Sequence, residues 1–299
     1  MSGSAGVPSD ARGRGVVRGE VRGAVVVTGA SSGIGEAIAT RLADRGFRAF
    51  GGYRNPEDAE RLSAAGVEPI RLDVTEPADV DAAVRTVAER LHAEGGAGGR
   101  APGLAGLVNN AGIPGAGPVE LAPFDVFESV MAVNFFGALR ATRAFLPLLR
   151  SAGGRIVMIS SLSGRVAMPF LGPYAASKYA LEGLADSLRR ELLPEGLRVL
   201  LIEPGPIATP IWDRVASVDP TTYAGTRYEE RVRSVRESAL ASGRDGLPPE
   251  RVAHKVERAL TSRRPRERVV VTDRAGLWKA RLVRRLPVRW ADRLIVRGR

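Results

Sequence analysis

Residues 24–46 read AVVVTGASSGIGEAIATRLADRG, and three segments in succession set the fold. Ala24 to Thr28 is short and almost continuously apolar, the pattern of a strand covered on both faces. Gly29, Ala30, Ser31, Ser32, Gly33, Ile34 and Gly35 then turn the chain, and an amphipathic helix runs from there to Gly46. Such a strand, turn and helix N-terminus form a phosphate-binding element. Glycines let backbone N–H groups approach a pyrophosphate, and the helix dipole favours its charge. The spacing is G-x3-G-x-G, which differs from the G-x-G-x2-G of other dinucleotide folds. A glycine-rich turn is weak evidence by itself. The segments around it decide.

Working outward, the alternation of strand and helix continues. Phe47 to Tyr53 predicts a second strand, ended by Arg54. A helix over 56–66 leads to a third strand over 67–72, which closes at Asp73 and Val74. Thr75-Glu76-Pro77 opens a long amphipathic helix that reaches Ala93. Residues 94–103, EGGAGGRAPG, read as a flexible insertion, because the sheet pattern resumes at once. LAGLVNNAG predicts a fourth strand followed by Asn109, Asn110, Ala111 and Gly112. A helix over 124–149 carries Asn134 between Val133 and Phe135, and a buried amide there needs hydrogen-bond partners. Further strands follow at 156–159, 198–204 and 267–272, with helices after Pro173 and over 248–262. The expectation is one doubly wound, Rossmann-type α/β domain over 21–272, with a mostly parallel sheet of about seven strands and helices on both faces.

Composition narrows the chemistry. Hydrophobic residues make up 44% and charged residues 26% of the 299, an ordinary balance for a globular protein. No apolar run reaches membrane-spanning length, and a cytoplasmic protein is expected. The absence of cysteine excludes disulfides and thiol catalysis. His92 and His254 lie in polar helical contexts, so no metal site is expected. The net charge of +11 is compatible with an acidic ligand, a membrane surface or nucleic acid. Nucleic acid is not expected, since no basic–aromatic stacking platform is visible. Residues 1–20 are rich in Gly, Ser and Arg without apolar periodicity and read as a disordered tail.

The chemistry concentrates at 160–187, SSLSGRVAMPFLGPYAASKYALEGLADS. Tyr174 and Lys178 stand four apart on a helix expected to run without a breaker to Gly183, so they share one face. An ammonium held there lowers the phenol's pKa from about 10, toward a usable acid–base. Ser161 follows the apolar run Ile156–Ile159, so its hydroxyl emerges at a strand end, where open α/β sheets bind ligands.

TGASSGIG, LDV, NNAG, Asn134, Ser161 with YxxxK, and EPGPIAT occur in that order. Over about residues 22–272 this series resembles the short-chain dehydrogenases/reductases, and 160–187, EPGPIATPIW and the extended C-terminal part look most like the hydroxysteroid and retinol dehydrogenase branch. The resemblance implies hydride transfer between a nicotinamide cofactor and an alcohol or carbonyl. Tyr174 would be the acid–base, with Lys178 tuning it and bonding the nicotinamide ribose. Ser161 would hold the substrate oxygen, and Asn134 a water that relays protons. The nucleotide would lie against Gly29, Ser31, Ser32, Gly33, Ile34, Gly35, Asp73, Val74, Asn110, Ala111 and Gly112, and against Pro204, Gly205, Ile207 and Thr209.

NAD-preferring relatives end the second strand with a carboxylate, whereas here Tyr53 is followed by Arg54, a partner for a 2′-phosphate. NADP(H) is therefore expected over NAD(H). The resemblance also implies a bulky apolar alcohol or carbonyl substrate, covered by about residues 207–250, and a homodimer or homotetramer. Trp212, Tyr223 and Tyr228 in that segment would either line the pocket or pack on the scaffold. A cofactor-binding regulator of the same fold is the alternative function. The extension 273–299 carries nine basic residues against Asp273 and Asp292, and reads as an amphipathic helix broken near Pro287. Packing on its own domain or a subunit partner is the preferred role, with peripheral membrane contact as the rival.

Overall fold

The computed structural model describes residues 22–94, 103–216, 219 and 221–297. The expected N-terminal tail lies outside the described residues, and so does most of the insertion at 94–103. Seven strands form one parallel sheet in the order β3-β2-β1-β4-β5-β6-β7. They are β1 (Ala24–Val27), β2 (Arg48–Tyr53), β3 (Glu68–Arg71), β4 (Leu104–Asn109), β5 (Arg155–Ile159), β6 (Arg198–Pro204) and β7 (Arg268–Val271). This is the doubly wound architecture expected from the alternation, and the sheet reverses direction of growth between β1 and β4. Ligand crevices form at that reversal, beyond the C-terminal ends of the strands.

The continuously apolar strands are explained by what covers them. Val26, Leu107, Met158 and Leu201 face one layer, made by α3 (Pro77–Glu94), α5 (Ala138–Ala152) and α6 (Gly172–Leu192). Val25, Val27, Val108, Val157 and Ile202 face the other, which includes α1 (Gly33–Asp44), α2 (Glu57–Ala64) and α9 (Glu250–Thr261). Both faces are dry, so strand residues of either parity must be apolar. Each such side chain contributes roughly 1.5–3 kcal/mol by leaving water.

Two helices differ from their sequence reading. The segment over 124–149 is not a uniform α-helix. α4 (Phe124–Met131) passes into a π-helical turn, Ala132–Gly137, before α5 begins. α6 continues through Gly183 to Leu192, because that glycine lies inside a helix held on both sides by buried Leu181 and Ala185. Tertiary packing outweighs the cost of one glycine, about 1 kcal/mol. Between β6 and α9, α7 (Ile211–Ala216) and α8 (Glu229–Arg244) build a covering segment. After β7, α10 (Arg274–Arg285) and α11 (Val288–Arg297) flank Pro287, the break expected from the sequence. No helix among the described residues is long and apolar enough to cross a membrane.

Candidate active site

The glycine turn is shaped by close approaches. Gly29 and Gly33 have φ of 61° and 57°, which β-carbon-bearing residues adopt at a cost. A Cβ on Gly35 would collide with the Gly29 carbonyl and the Asn110 amide, so helix α1 can start against the turn only with glycine there. Ile34 points away into the core under α1, and Thr209 stands over Gly33, where a Cβ would lie 3.1 Å from its own. Thr28 and Asn110 lock this turn to β4. The Thr28 hydroxyl accepts from the Asn110 and Ala111 N–H groups, both at 3.0 Å. The Asn110 amide donates to the Thr28 and Gly29 carbonyls at 3.1 and 2.9 Å. Asn109 turns the other way, donating to the Thr142 hydroxyl at 2.8 Å.

Beside this cradle the end of β2 meets the end of β3. Arg54 approaches Asp73 at 3.9 Å, and its side chain is 52% exposed. Asp73 also accepts from the Thr75 N–H at 2.9 Å and hydroxyl at 2.7 Å. Arg54 is thus a half-solvated cation with a loose tether. Arg61 of α2 donates to the Ser31 carbonyl and is paired with Asp58 at 2.7 Å and Glu36 at 3.5 Å. No motif flagged Arg61. Val74 is buried and its carbonyl accepts from Arg140. The open glycine backbone and the helix N-terminus suit a nucleotide pyrophosphate.

Past the ends of β4 and β5 lie the remaining predicted residues. Ser161 begins a short 3-10 turn, accepting from the Ser163 N–H at 3.1 Å. Its hydroxyl lies beside the Tyr174 phenol and favours the phenolate form. One turn along α6, the Lys178 ammonium sits 5.7 Å from the centre of the Tyr174 ring and donates to the Ile159 carbonyl at 2.9 Å. Asn134 is 1% exposed on the π-helical turn. It accepts from the Ile113 N–H at 2.8 Å and donates to the Ile113 carbonyl at 3.1 Å and the Ser177 hydroxyl at 3.0 Å. A methyl group on Gly112 would stand 3.3 Å from the Asn134 oxygen and 3.7 Å from the Lys178 nitrogen. All four side chains therefore converge on one spot, although they come from three elements. Through these bonds to the Ile113 backbone the Asn134 side chain clamps the loop after β4.

Electrostatics depart from the sequence expectation at one point. Burial raises the Tyr174 phenol above its usual value, and the hydrogen bond with Ser161 offsets part of this. Lys178 itself is pushed down to about 8 by burial, opposed by the charge of Glu182. A cation this weakly held gives up its proton near neutrality. Glu182 lies one turn further along α6, with Ser160 beside it. Neither residue was singled out from the sequence, and their grouping joins two elements.

The other predicted positions lie at the rim. The Gly205 N–H is paired with the Val271 carbonyl at 2.9 Å, and the Pro204 carbonyl lies 3.5 Å from the Ser161 hydroxyl. Ile207 is buried in the core, and its carbonyl accepts from the Trp212 indole at 2.7 Å. Trp212 also packs against Gly243, so it belongs to the scaffold. Tyr223 is buried against Gly117. Tyr228 donates to Glu120 at 2.6 Å and meets the Phe170 ring edge-on at 6.0 Å. The covering segment is thereby latched to the loops that flank Tyr174. His92 and His254 both lie at the surface, and no group of metal-ligating side chains occurs among the described residues.

Both the sequence and the fold are matched by known proteins. A sequence model of the short chain dehydrogenases matches residues 23–219, and the chain belongs to that family. It is 35% identical to an NADPH-dependent 3-dehydrocapnine reductase of Ornithobacterium rhinotracheale, over 90% of this chain and 94% of that one. It is also 35% identical to human retinol dehydrogenase 5, over 82% of this chain and 79% of the other. Among solved structures, a short chain dehydrogenase/reductase of Burkholderia phymatum in complex with NAD superposes with a TM-score of 0.73 at 25% identity, covering 87% and 92% of the two chains. The chain is an oxidoreductase that acts on alcohol or keto groups with a nicotinamide cofactor.

Proposed function

We propose that this enzyme interconverts an alcohol and a ketone or aldehyde on a bulky apolar substrate, with NADP(H) and with Tyr174 as acid–base. The observation that carries the reading is the convergence of Ser161, Tyr174 and Lys178 at the C-terminal ends of the central strands. When bound, the nicotinamide supplies or accepts the hydride. The Tyr174 hydroxyl gives its proton to the carbonyl oxygen in reduction and takes it back in oxidation. A phenol held protonated by burial is suited to the reductive direction, because the acid form is present at neutral pH. Ser161 orients the substrate oxygen toward Tyr174, and Lys178 accompanies the proton change with its own nearby charge. Asn134 fixes the loop over which these groups meet.

Preference for the phosphorylated cofactor rests on the half-exposed Arg54 beside the glycine turn, and a similar protein is NADPH-dependent. The apolar substrate is supported by likeness to a retinol dehydrogenase. A subunit pairing through the exposed Phe136 and Tyr179 of the two long helices would give a homodimer or homotetramer. The test is Tyr174→Phe, assayed with NADPH and a panel of apolar ketones and aldehydes. Turnover should fall by about 10²–10⁴-fold while NADPH fluorescence titration is unchanged. Near-normal turnover would sink the assignment.

A further inference from the structure

Five of the eleven large hydrophobic residues that stand exposed among the described residues lie in the C-terminal hairpin. Trp278, Val288, Trp290, Leu294 and Val296 are 65%, 74%, 60%, 44% and 53% exposed. α10 has no buried residue, α11 buries Ala291, and the two helices pack mainly on one another. Of the two placements preferred from sequence, packing on its own domain does not account for these side chains, and a subunit partner is the other. Two exposed tryptophans in one short segment are costly in water, since each ring presents a large apolar area.

The tryptophans are not set in a uniformly greasy face. On α10, Arg274, Arg281 and Arg285 stand four before, three after and seven after Trp278, so they border it on the helix surface. On α11, the Arg293 guanidinium lies 5.7 Å from the centre of the Trp290 ring, and Leu294 follows one turn after Trp290. Each helix therefore carries an exposed tryptophan at a seam between apolar and cationic residues. Between Arg274 and Val296 the seven basic residues face a single acid, Asp292. A protein partner with a dry core would leave many of these charges desolvated and unpaired. A bilayer interface receives both halves at once, with rings at the level of the acyl boundary and guanidinium groups among phosphates.

We infer that α10 and α11 dock the enzyme onto a membrane surface that contains anionic lipid. The hairpin lies flat on such a surface, since neither helix is long enough to span one. Attraction comes from the arginines, and retention from Trp278, Trp290 and Leu294.

The test uses the full chain and vesicle flotation, with phosphatidylcholine alone or mixed with phosphatidylglycerol. The protein should float with the mixed vesicles and stay behind with the neutral ones, and added salt should release part of it. Tryptophan emission should shift to the blue on binding. Trp278→Ser with Trp290→Ser should weaken partition by about tenfold and leave turnover of a water-soluble ketone unchanged. Arg281→Gln with Arg285→Gln, at exposed positions, should also weaken it, which separates lipid binding from misfolding. No flotation with the anionic vesicles would overturn the inference. So would flotation that the tryptophan pair does not affect. A change of oligomeric state in the tryptophan variant, without vesicle binding, would assign the face to a second copy of this chain instead.

Discussion

Two cations enter the same buried neighbourhood at the end of the sheet and are held in opposite ways. Lys178 is 4% exposed, and its ammonium donates to a neutral carbonyl, that of Ile159. Arg268, at the start of β7, reaches three carboxylates: Glu182, Asp186 at 2.8 Å and Glu203 at 3.2 Å. Burial works against charge at both. At Lys178 it prevails, and the pKa falls to about 8. At Arg268 it is overcome, first by the hydrogen bond and charge of Glu182, and the guanidinium is held more firmly than in water. Both cations share the field of Glu182 on α6, so the difference lies in the number of acidic partners. A catalytic cation has to be loosely held to respond to a neighbouring proton, whereas a structural one has to be fixed.

The largest expected effect breaks the loose member. Lys178→Met should lower kcat by a hundredfold or more, about the scale of a lost acid–base arrangement. The fold should survive, since a methionine places an apolar chain where a costly charge stood. Urea midpoints unchanged or raised, with turnover nearly abolished, are the expected pair of readouts. Arg268→Met should do the reverse. It leaves the buried Glu182 and Glu203 carboxylates with fewer counter-charges, although Arg165 still holds Glu203 at 2.9 and 3.0 Å. A loss of about 3 kcal/mol in urea unfolding is expected, toward the low end for a broken buried pair. A large kcat loss at full stability would show that the two cations had been assigned the wrong way round.

This contrast was only half legible in the sequence. The spacing of Tyr174 and Lys178 placed them on one face, because helix geometry is local. It carried no information on solvent, and so it did not show that burial would raise the phenol instead of the ammonium lowering it. Glu203 was a visible signal that went unused. A glutamate in the apolar run RVLLIEPG sits in a central strand and must have a cation nearby. Its partners, Arg165 and Arg268, lie 38 and 65 residues away, and nothing local points to either. The strands of the sheet were readable for the opposite reason, since two dry faces leave an unbroken apolar run in each segment. The covering segment is less regular, and its aromatics found partners only in space: Trp212 on Gly243, and Tyr228 on Glu120.

A smaller effect concerns cofactor choice. Arg54→Asp would stand an acid beside Asp73, from which Arg54 is now 3.9 Å away. NADPH affinity should fall and NADH should be favoured, by about tenfold or more in the ratio of kcat/KM. An unchanged ratio would remove Arg54 from the 2′-phosphate site.

The finest test is of pH. Lys178 is a base whose folded pKa, about 8, lies below its unfolded value of 10.5. Below about 8 both states carry the proton, and the folded state bears the full cost of a buried charge. Between about 8 and 10.5 the unfolded state binds more protons, so this group adds stability as pH rises through that window. Function should run the other way, because the ammonium is lost over the same range. kcat for ketone reduction should therefore decline through about pH 8, while the contribution of Lys178 to stability improves. Glu182→Gln sharpens the point. Removing the carboxylate removes the charge that holds the Lys178 pKa up, so the decline in kcat should move to lower pH. At low pH the two proteins should turn over alike, because the lysine is protonated in both. Arg268 keeps Asp186 and Glu203, so the loss of stability should be less than for Arg268→Met. A decline that stayed in place would mean that the limb belongs to Tyr174, and that Glu182 serves Arg268 alone.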